Sequence, residues 1–552
     1  MTDRILVVGG AGAFGRRLVE SLLATTDAIV LIGGRRPQRH AGLVQDLKTR
    51  YGDRRIDVIV IDRDAPLDAM RTSKPFCVVD AAGPFQGQEP HLAKAAIAAG
   101  CHYVDLADAR DFVADFSALD AAARAANVLV ATGASSTPAL SSAVVAMQTE
   151  GWQRVDEIAV AISPGNRAPR GLSVIEAILA YAGQPVRVKR DGRWTTRPGW
   201  GDLVRRDMPG LGPRWLSLCE TPDLDLLPTR YPSARTVLFR AGLELPILHL
   251  GLWLLMLPVR AGFIRSLRPT AAFLQAIASG FESLGTDRGG MSVEASGIGR
   301  DGQAIRASWS LVAAAGDGPN IPVLPALALV RGLLDGRFTT RGARVAGDLL
   351  SLKDIANEFG RFRITVRNAY SWPEGRGLFD KVLGSDIARL PAVVRDVHTN
   401  APLHLTGRAA IDGAQNGTAK IIAKLIGFPS GASNEPADVL LRRSGDGEVW
   451  IRRFGRSVFR STLKPGDEPR RLHERFGPFD VELEITPHES GFDLEVVGWR
   501  IGPVRLARRA APYTLAKAFA DDEGRYGFDV TIGLPLIGRL VRYRGWLVPE
   551  GR

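Results

Sequence analysis

The stretch Ile5-Leu6-Val7-Val8-Gly9-Gly10-Ala11-Gly12-Ala13-Phe14-Gly15 decides the fold of the first part of this chain. Four consecutive apolar residues are typical of a central strand in a parallel sheet, because such a strand is covered on both faces. The glycines then fit the spacing Gly10-x-Gly12-x-x-Gly15, and residues 16–25 have leucine and valine at helical spacing. Strand, glycine turn and helix in this order predict a loop that binds the phosphates of a dinucleotide.

Each residue of this turn has an expected role. Gly10 makes the tight turn, Gly12 lets the backbone approach the pyrophosphate, and Gly15 allows close packing of helix on strand. Ala13 and Phe14 begin the helix, whose N-terminus faces the phosphates. The alternative is a purely structural glycine turn. We predict that all five residues form the cofactor loop.

A second strand, residues 28–32, ends in Gly33-Gly34-Arg35-Arg36. A site that prefers NAD places an acidic residue here to bond the ribose 2′-hydroxyl, whereas Arg35 and Arg36 can pair with a 2′-phosphate, assisted by Arg39. Solvated arginines at a strand end are the alternative. The sequence therefore favours NADP over NAD.

Further strands alternate with helices up to residue 131. The strand 56–61 leads to Asp62, which we expect to approach the adenine, and the strand 77–80 leads to Ala82, Gly83 and Pro84, which we expect against the nicotinamide. Strands that alternate with helices predict an α/β domain with a doubly wound parallel sheet, a Rossmann fold. We place this domain at residues 1–140.

The run VVDAAGPFQGQEPHLAKAAIAAGCHYVDLADARDFV, followed by ATGASSTPALSSAVV, resembles the saccharopine dehydrogenase-like family of NAD(P)-dependent reductases. The resemblance covers about residues 1–150, and more loosely 286–321. It implies a second, α+β substrate domain, here 141–365, and a reductase acting on a C=N or C=C bond. The family's substrates range from amino-acid–keto-acid imines to polyamine precursors and lipid-linked enoyl groups, so the resemblance does not fix the substrate.

The last part of the chain, from about Tyr370, has a different pattern. Apolar and acidic residues alternate strictly over 479–485 and again over 492–496, across a turn-like segment. This period of two predicts strands with one wet face, in a mostly antiparallel β domain at 370–552. The segment resembles an uncharacterised domain found fused to such reductases in bacteria, and that resemblance implies no role.

Hydride transfer needs a proton donor near the acceptor atom. The candidates are Tyr103 as donor and Asp105 and Asp108 as relays or substrate ligands, because they follow a strand of the first sheet. Packing of alternate side chains against helices, and helix capping by Asp108, are the alternatives. The match Tyr513-x-x-x-Lys517 to the short-chain dehydrogenase motif is read as chance. No motif predicts a metal site.

Composition limits the partners of the protein. The formal net charge is +12, but the basic residues are scattered in ones and twos, which argues against a nucleic-acid partner. Three cysteines suit a reducing compartment, and MTDRILVVGG enters a strand at once, so we predict a cytoplasmic protein.

The uncharged segment Leu245–Val259 complicates this prediction. A helix of that length falls short of the ~30 Å of a hydrocarbon core. We expect it to be buried or to line a substrate cleft, with peripheral membrane contact as the alternative. The whole pattern favours an NADP-dependent oxidoreductase with a small-molecule substrate, and the uncharged segment favours a hydrophobic one. A non-catalytic dinucleotide sensor and a substrate-carrier module are the alternatives.

Overall fold

The computed structural model describes residues 3–168, 171–300, 304–371, 377–399, 403–444, 446–455, 457–476, 479–502, 504–505 and 511–549. The chain forms two compact units, Met1–Ser371 and Trp372–Arg552. The sequence prediction of three domains places a boundary at residue 140, whereas the residues on either side of that boundary pack together within the first unit.

The first unit begins with six strands separated by helices. In chain order these elements are β1 (Arg4–Val8), α1 (Ala13–Thr25), β2 (Ile29–Gly34), α2 (Ala41–Tyr51), β3 (Ile56–Val60), α3 (Leu67–Ser73), β4 (Cys77–Asp80), α4 (His91–Ala99), β5 (His102–Asp105), α5 (Arg110–Ala114), α6 (Asp120–Ala125), β6 (Leu129–Thr132) and α7 (Ser141–Gln148).

A second group of elements completes this unit. They are β7 (Arg154–Ser163), α8 (Leu172–Tyr181), β8 (Pro185–Arg190), β9 (Arg193–Pro198), β10 (Val204–Met208), β11 (Gly212–Leu218), α9 (Asp223–Arg230), β12 (Thr236–Ala241), α10 (Pro246–Arg260), α11 (Ala271–Ser279), β13 (Gly289–Ile298), β14 (Ala304–Ala313), α12 (Leu324–Leu334), β15 (Gly342–Val345), α13 (Leu352–Ala356) and β16 (Ile364–Ser371).

The first sheet confirms the predicted doubly wound parallel fold. Its strand order is β15-β6-β5-β4-β1-β2-β3, and each pairing is parallel. Strand β1 pairs with β2 on one side and with β4 on the other, so the order reverses at β1. In open sheets of this kind, ligands bind outside the carboxyl ends of the strands at that reversal. The seventh strand, β15, comes from beyond residue 340.

The second sheet is mixed and has nine strands. Its main path is β10-β11-β12-β7-β13-β14-β16, with β8 and β9 attached beside β12. Only the pair β12–β7 within that path is parallel among the described strands. Burial alternates along β13, as expected of a sheet with one packed face. This sheet lies beside the first and provides the other wall of the site.

The second unit is the predicted antiparallel β domain. Its elements are α14 (Leu378–Leu383), α15 (Ala392–Thr399), β17 (Leu403–Asp412), α16 (Gly417–Ile426), β18 (Ala432–Ser444), β19 (Gly447–Phe454), β20 (Ser457–Pro465), β21 (Arg471–Phe476), β22 (Phe479–His488), β23 (Gly491–Ile501), β24 (Val504–Arg505), β25 (Tyr513–Ala520), β26 (Tyr526–Leu534) and β27 (Gly538–Pro549).

Ten of these strands close into a barrel, because β22 pairs with both β21 and β23. The alternation over 479–485 has its predicted effect, since Val481, Leu483 and Ile485 are buried. Closure leaves these strands without an exposed edge. The interior also holds Phe379 and Phe492, whose ring centroids lie 5.5 Å apart.

Candidate cofactor and substrate cavity

The glycine turn between β1 and α1 is shaped by its own backbone. Gly9 adopts a positive φ of 75°, and its carbonyl oxygen accepts the N–H of Gly12 at 2.9 Å. A Cβ on Gly15 would lie 2.1 Å from that oxygen, so the position admits no side chain. A Cβ on Gly12 would lie 3.2 Å from it, which is tight but not prohibitive. Gly15 therefore serves packing, whereas Gly12 faces a cavity.

The N-terminus of α1 opens on a cavity of about 1230 Å³. Gly12 is the N-cap and offers no side chain to the first turn, and Ala13 and Phe14 line the cavity. Free backbone N–H groups and the helix dipole make such an end a site for anions. Gly10 lies behind this surface, where an added Cβ would meet the Val7 carbonyl oxygen at 2.9 Å.

Three arginines follow β2 at the same cavity. Arg35, Arg36 and Arg39 are exposed and line it. Within the described part of the chain, none of the three guanidinium groups has an ion-pair partner. No carboxylate occurs between Asp27 and Asp46 that would repel a phosphate here. The groups therefore suit a phosphorylated ribose, and with the α1 terminus they fit a dinucleotide.

The loop after β4 is held by two charged side chains that the sequence analysis did not single out. Asp80 accepts the N–H of Ala82 at 2.9 Å, and Arg63 donates to the Ala82 carbonyl oxygen at 2.8 Å. Arg63 and Asp80 also form an ion pair at 3.3 Å. Ala82, Gly83 and Pro84 line the cavity as predicted, and small side chains there leave room for a ring.

Asp62 is not brought to the cavity. Its side chain is exposed, its carboxylate accepts the N–H of Asp64 at 3.1 Å, and it is absent from the cavity wall. The expected adenine contact was inferred from its place after β3. The local turn instead directs the carboxylate back to its own backbone, as Asp side chains commonly do.

Two of the three catalytic candidates are buried inside the first sheet. Tyr103 is fully buried and stacks on Phe116, and burial together with Asp105 and Asp80 raises the pKa of its hydroxyl well above the usual range. Asp105 accepts hydrogen bonds from Ala107, Gly133 and Thr132. Neither side chain lines the cavity, so a direct part in proton transfer does not fit their placement. Asp105 instead connects the end of β5 to the end of β6 through its hydrogen bonds with Thr132 and Gly133.

Asp108 is the candidate that does reach the cavity. It accepts a hydrogen bond from the Gln86 amide at 3.2 Å, and burial raises the pKa of its carboxyl. A larger fraction of this group therefore carries a proton near neutral pH than for an exposed aspartate. It does not cap a helix, since α5 begins at Arg110 with Ala109 as N-cap.

The opposite wall adds three groups that the sequence analysis missed. The Tyr181 hydroxyl donates to Cys219 Sγ at 2.9 Å, and Glu220 lies beside them. Burial raises the pKa of Tyr181 well above its usual range and also raises that of Glu220, which Arg110 at 3.8 Å partly offsets. These residues come from α8 and the end of β11. No local motif marks them, because only the packing of two sheets brings them to Asp108.

A group of hydrogen bonds around Asp223 and Asp225 of α9, which we call the clamp, joins the two walls of the cavity. Arg110 pairs with Asp225 and donates to the Arg187 carbonyl oxygen at 2.8 Å. Asp223, which has no exposed surface, accepts hydrogen bonds from Thr137 and Ser141. Helix α9 is therefore bonded to the segments that follow β5 and β6, including the first residues of α5 and α7.

The remaining part of the cavity is apolar. Its walls come from α8, α10, α11 and the second sheet, and include Ile175, Ile178, Leu248, Leu252, Leu274 and Met291. Helix α10 covers most of the predicted segment Leu245–Val259 and lines the cavity with one face. Among the described residues, no cluster of three side chains is arranged to hold a metal ion.

Comparison with known families identifies two regions. Residues 5–148 match the family model described as saccharopine dehydrogenase NADP binding domain, and residues 390–547 match the model described as domain of unknown function, DUF4166. No curated protein sequence matches the chain significantly.

Solved structures resemble the first unit only distantly. The apo saccharopine dehydrogenase (L-Glu forming) from Saccharomyces cerevisiae has 13% identity and a TM-score of 0.49, over 67% of this chain and 100% of its own. A probable dehydrogenase from Thermotoga maritima has 12% identity and a TM-score of 0.35, over 66% of this chain and 98% of its own. We draw no functional conclusion from likenesses of this size. By its family matches, the chain joins a saccharopine dehydrogenase NADP binding domain to a domain of the DUF4166 family.

Proposed function

We propose that the protein is an NADP(H)-dependent oxidoreductase that acts on a C=N or C=C bond of an apolar small molecule. The observation that carries the proposal is the continuity of the cavity. One space joins the glycine turn and the three arginines at the first sheet to the apolar side chains of α8, α10 and α11. Its volume of about 1230 Å³ exceeds the ~300–1,000 Å³ typical of a single ligand site, so it has room for cofactor and substrate together.

The chain's own residues divide into binding and proton-transfer groups. The α1 N-terminus would hold the pyrophosphate, and Arg35, Arg36 and Arg39 would hold the 2′-phosphate that distinguishes NADP from NAD. When bound, the nicotinamide ring supplies or accepts the hydride. Ala82, Gly83 and Pro84 leave a flat surface for that ring at the carboxyl end of β4.

Asp108 is the group we propose as the proton donor. Its carboxyl lines the cavity beside this surface, and burial raises its pKa, which moves the carboxyl towards the range that suits a general acid. The Gln86 amide donates to one carboxyl oxygen and so orients the Asp108 side chain at the cavity wall. Tyr181, whose hydroxyl is held by Cys219, would position the substrate on the opposite wall.

The proposal is tested by following NADPH oxidation with matched imines and enoyl thioesters of increasing alkyl chain length. We expect turnover in one of the two classes, with KM falling as the chain lengthens. Asp108→Asn should lower kcat while NADPH binding is kept, and Gln38→Asn, an exposed change near the cofactor end, serves as control. Tight NADPH binding without turnover of either class would instead support the non-catalytic sensor.

A further inference from the structure

The rim of the cavity carries large apolar side chains that face solvent. Ile247 and Leu255 on α10 and Ile277 on α11 line the cavity and are also exposed, by 63%, 43% and 41%. Next to them, Leu254 and Phe273 are exposed by 57% and 68%. Exposed apolar residues that occur singly are ordinary, but a group of them around one opening marks a surface for an apolar partner.

The loop between the two helices carries two more exposed apolar side chains. Phe263 is 87% exposed, and its neighbour Ile264 is 44% exposed. The loop is anchored at its base, because the N–H groups of Phe263 and Ile264 donate to the Pro258 carbonyl oxygen. We call Ile247, Leu254, Leu255, Phe263, Ile264, Phe273 and Ile277 together the apolar rim.

The charged residues of the segment that carries the apolar rim are all basic, although Glu176 of α8 lies in a shallow pocket with Arg268 and Glu282 follows the segment. Residues 245–281 contain no Asp or Glu, while Arg260, Arg265 and Arg268 are exposed beside Phe263. Within the part of the chain that the structure describes, no carboxylate pairs with these three arginines. Apolar side chains flanked by unpaired arginines are complementary to a bilayer surface with anionic headgroups, which offers hydrocarbon below and negative charge above.

A second copy of the chain fits this surface poorly. A two-fold contact through the apolar rim would bring two patches of the same positive charge together. Residues 245–281 supply no carboxylate to neutralise them. A spanning segment does not fit either, since no helix among the described residues is long and apolar enough to cross a membrane.

We propose that the apolar rim docks the protein on an anionic lipid surface, so that the apolar part of the cavity opens on the bilayer. Phe263 and Ile264 enter the boundary between headgroups and acyl chains, and the three arginines contact the headgroup phosphates. A substrate dissolved in the bilayer then reaches the cavity without crossing water. The docking itself does not depend on the proposed oxidoreductase activity.

The test is flotation of the full chain with vesicles of phosphatidylcholine alone and of phosphatidylcholine with phosphatidylglycerol, at low and high salt. We expect binding to the anionic vesicles that weakens with salt. Phe263→Ser combined with Phe273→Ser should weaken it about tenfold for each ring removed. Arg265→Gln combined with Arg268→Gln should weaken it about fivefold per charge and remove the preference for phosphatidylglycerol.

The matched control is Ile421→Ser, which removes an exposed aliphatic side chain from a helix of the second unit. It should leave flotation unchanged, and the circular dichroism spectrum and thermal unfolding should be the same in all variants, which shows that both units fold. The proposal is overturned if the full chain does not float with anionic vesicles at low salt, or if Ile421→Ser reduces flotation as much as the rim variant. Self-association that the rim variant abolishes, in a chain that binds no vesicle, would instead assign the surface to a second copy.

Discussion

At the scale of single residues, we expect the arginines after β2 to decide between NADP and NAD. Arg35 and Arg36 stand where an acidic residue would select NAD, and both face the cavity. We predict that Arg35→Ala combined with Arg36→Ala weakens NADPH binding at least about tenfold, because hydrogen bonds to a charged phosphate are lost. NADH binding should change little. Fluorescence titration of both cofactors decides this, and an equal loss for NADH would contradict the assignment.

The buried carboxyl of Asp105 should make the stability of the protein depend on pH, and this can be measured without an activity assay. Burial raises the pKa of its carboxyl from 3.8 to about 7. As the pH rises, the Asp105 carboxyl of the unfolded chain loses its proton at a lower pH than that of the folded chain. The contribution of this group to stability is therefore greatest below pH 4 and is lost as the pH rises towards 7. Asn keeps the oxygen that accepts three hydrogen bonds and has no charge to bury.

We therefore predict that the stability of Asp105→Asn, relative to the unmodified protein, increases between about pH 4 and pH 7 and is constant above it. Chemical denaturation at a series of pH values measures this difference in free energy of unfolding. A difference that is independent of pH would show that the Asp105 carboxyl does not titrate as its burial indicates.

At the scale of elements, the clamp on α9 holds the two walls of the cavity together. Asp225→Ala leaves Arg110, which is only 8% exposed, without its main partner. This pair is only partly buried and Glu220 stays 3.8 Å from Arg110, so we expect a loss of about 2 kcal/mol rather than the ~3 kcal/mol of a fully buried pair. The control Asp46→Ala removes an exposed partner of Arg50 and should cost about 0.5 kcal/mol or less. Thermal and chemical denaturation measure the free energy of unfolding of the two variants. Equal losses would mean that the Arg110–Asp225 pair stabilises the protein no more than an exposed ion pair does.

The elements that follow from local pattern could be predicted from the sequence. The strand, glycine turn and helix over 5–25, and the alternating strands over 479–485, depend on contacts between near neighbours or on a simple period. Asp108 was among the candidates for proton transfer that the sequence offered, but which of the three candidates faces the cavity could not be predicted in the same way. Tyr103 and Asp105 share one short strand that is buried throughout, and a parallel strand covered on both faces has no pattern that marks a side chain facing a ligand.

Non-local register explains what the sequence analysis missed. Tyr181 and Glu220 reach Asp108 only because β11, β12 and β7 pair in one sheet and α9 is clamped to the first. The same holds for β15, which joins the first sheet from more than 200 residues away. The expected contact of Asp62 with the adenine is absent for the opposite reason. A local turn forms there, in which the Asp62 carboxylate accepts a hydrogen bond from the backbone N–H of Asp64.

At the scale of the whole molecule, the chain consists of two compact units with separate cores. Every residue that lines the cavity belongs to the first unit. We predict that residues 1–371, expressed alone, fold cooperatively and bind NADPH with a Kd within about a factor of three of that of the full chain. Calorimetry and titration measure both properties. Loss of NADPH binding in a folded fragment would show that the second unit contributes to the site.

The central claim is that the cavity at the carboxyl ends of β1, β2 and β4 binds a nicotinamide dinucleotide on the glycine turn. The most direct test is titration of the full chain and of Gly12→Val with NADPH, followed by nicotinamide fluorescence. An added Cβ at Gly12 would meet only the Gly9 carbonyl oxygen, at 3.2 Å, so the turn must shift slightly, and the valine side chain would occupy the cavity wall where the pyrophosphate would lie. We predict saturable binding of one NADPH per unmodified chain, and no binding by the variant, which should still unfold cooperatively. Absence of binding by the unmodified chain, or full binding by Gly12→Val, would contradict the claim.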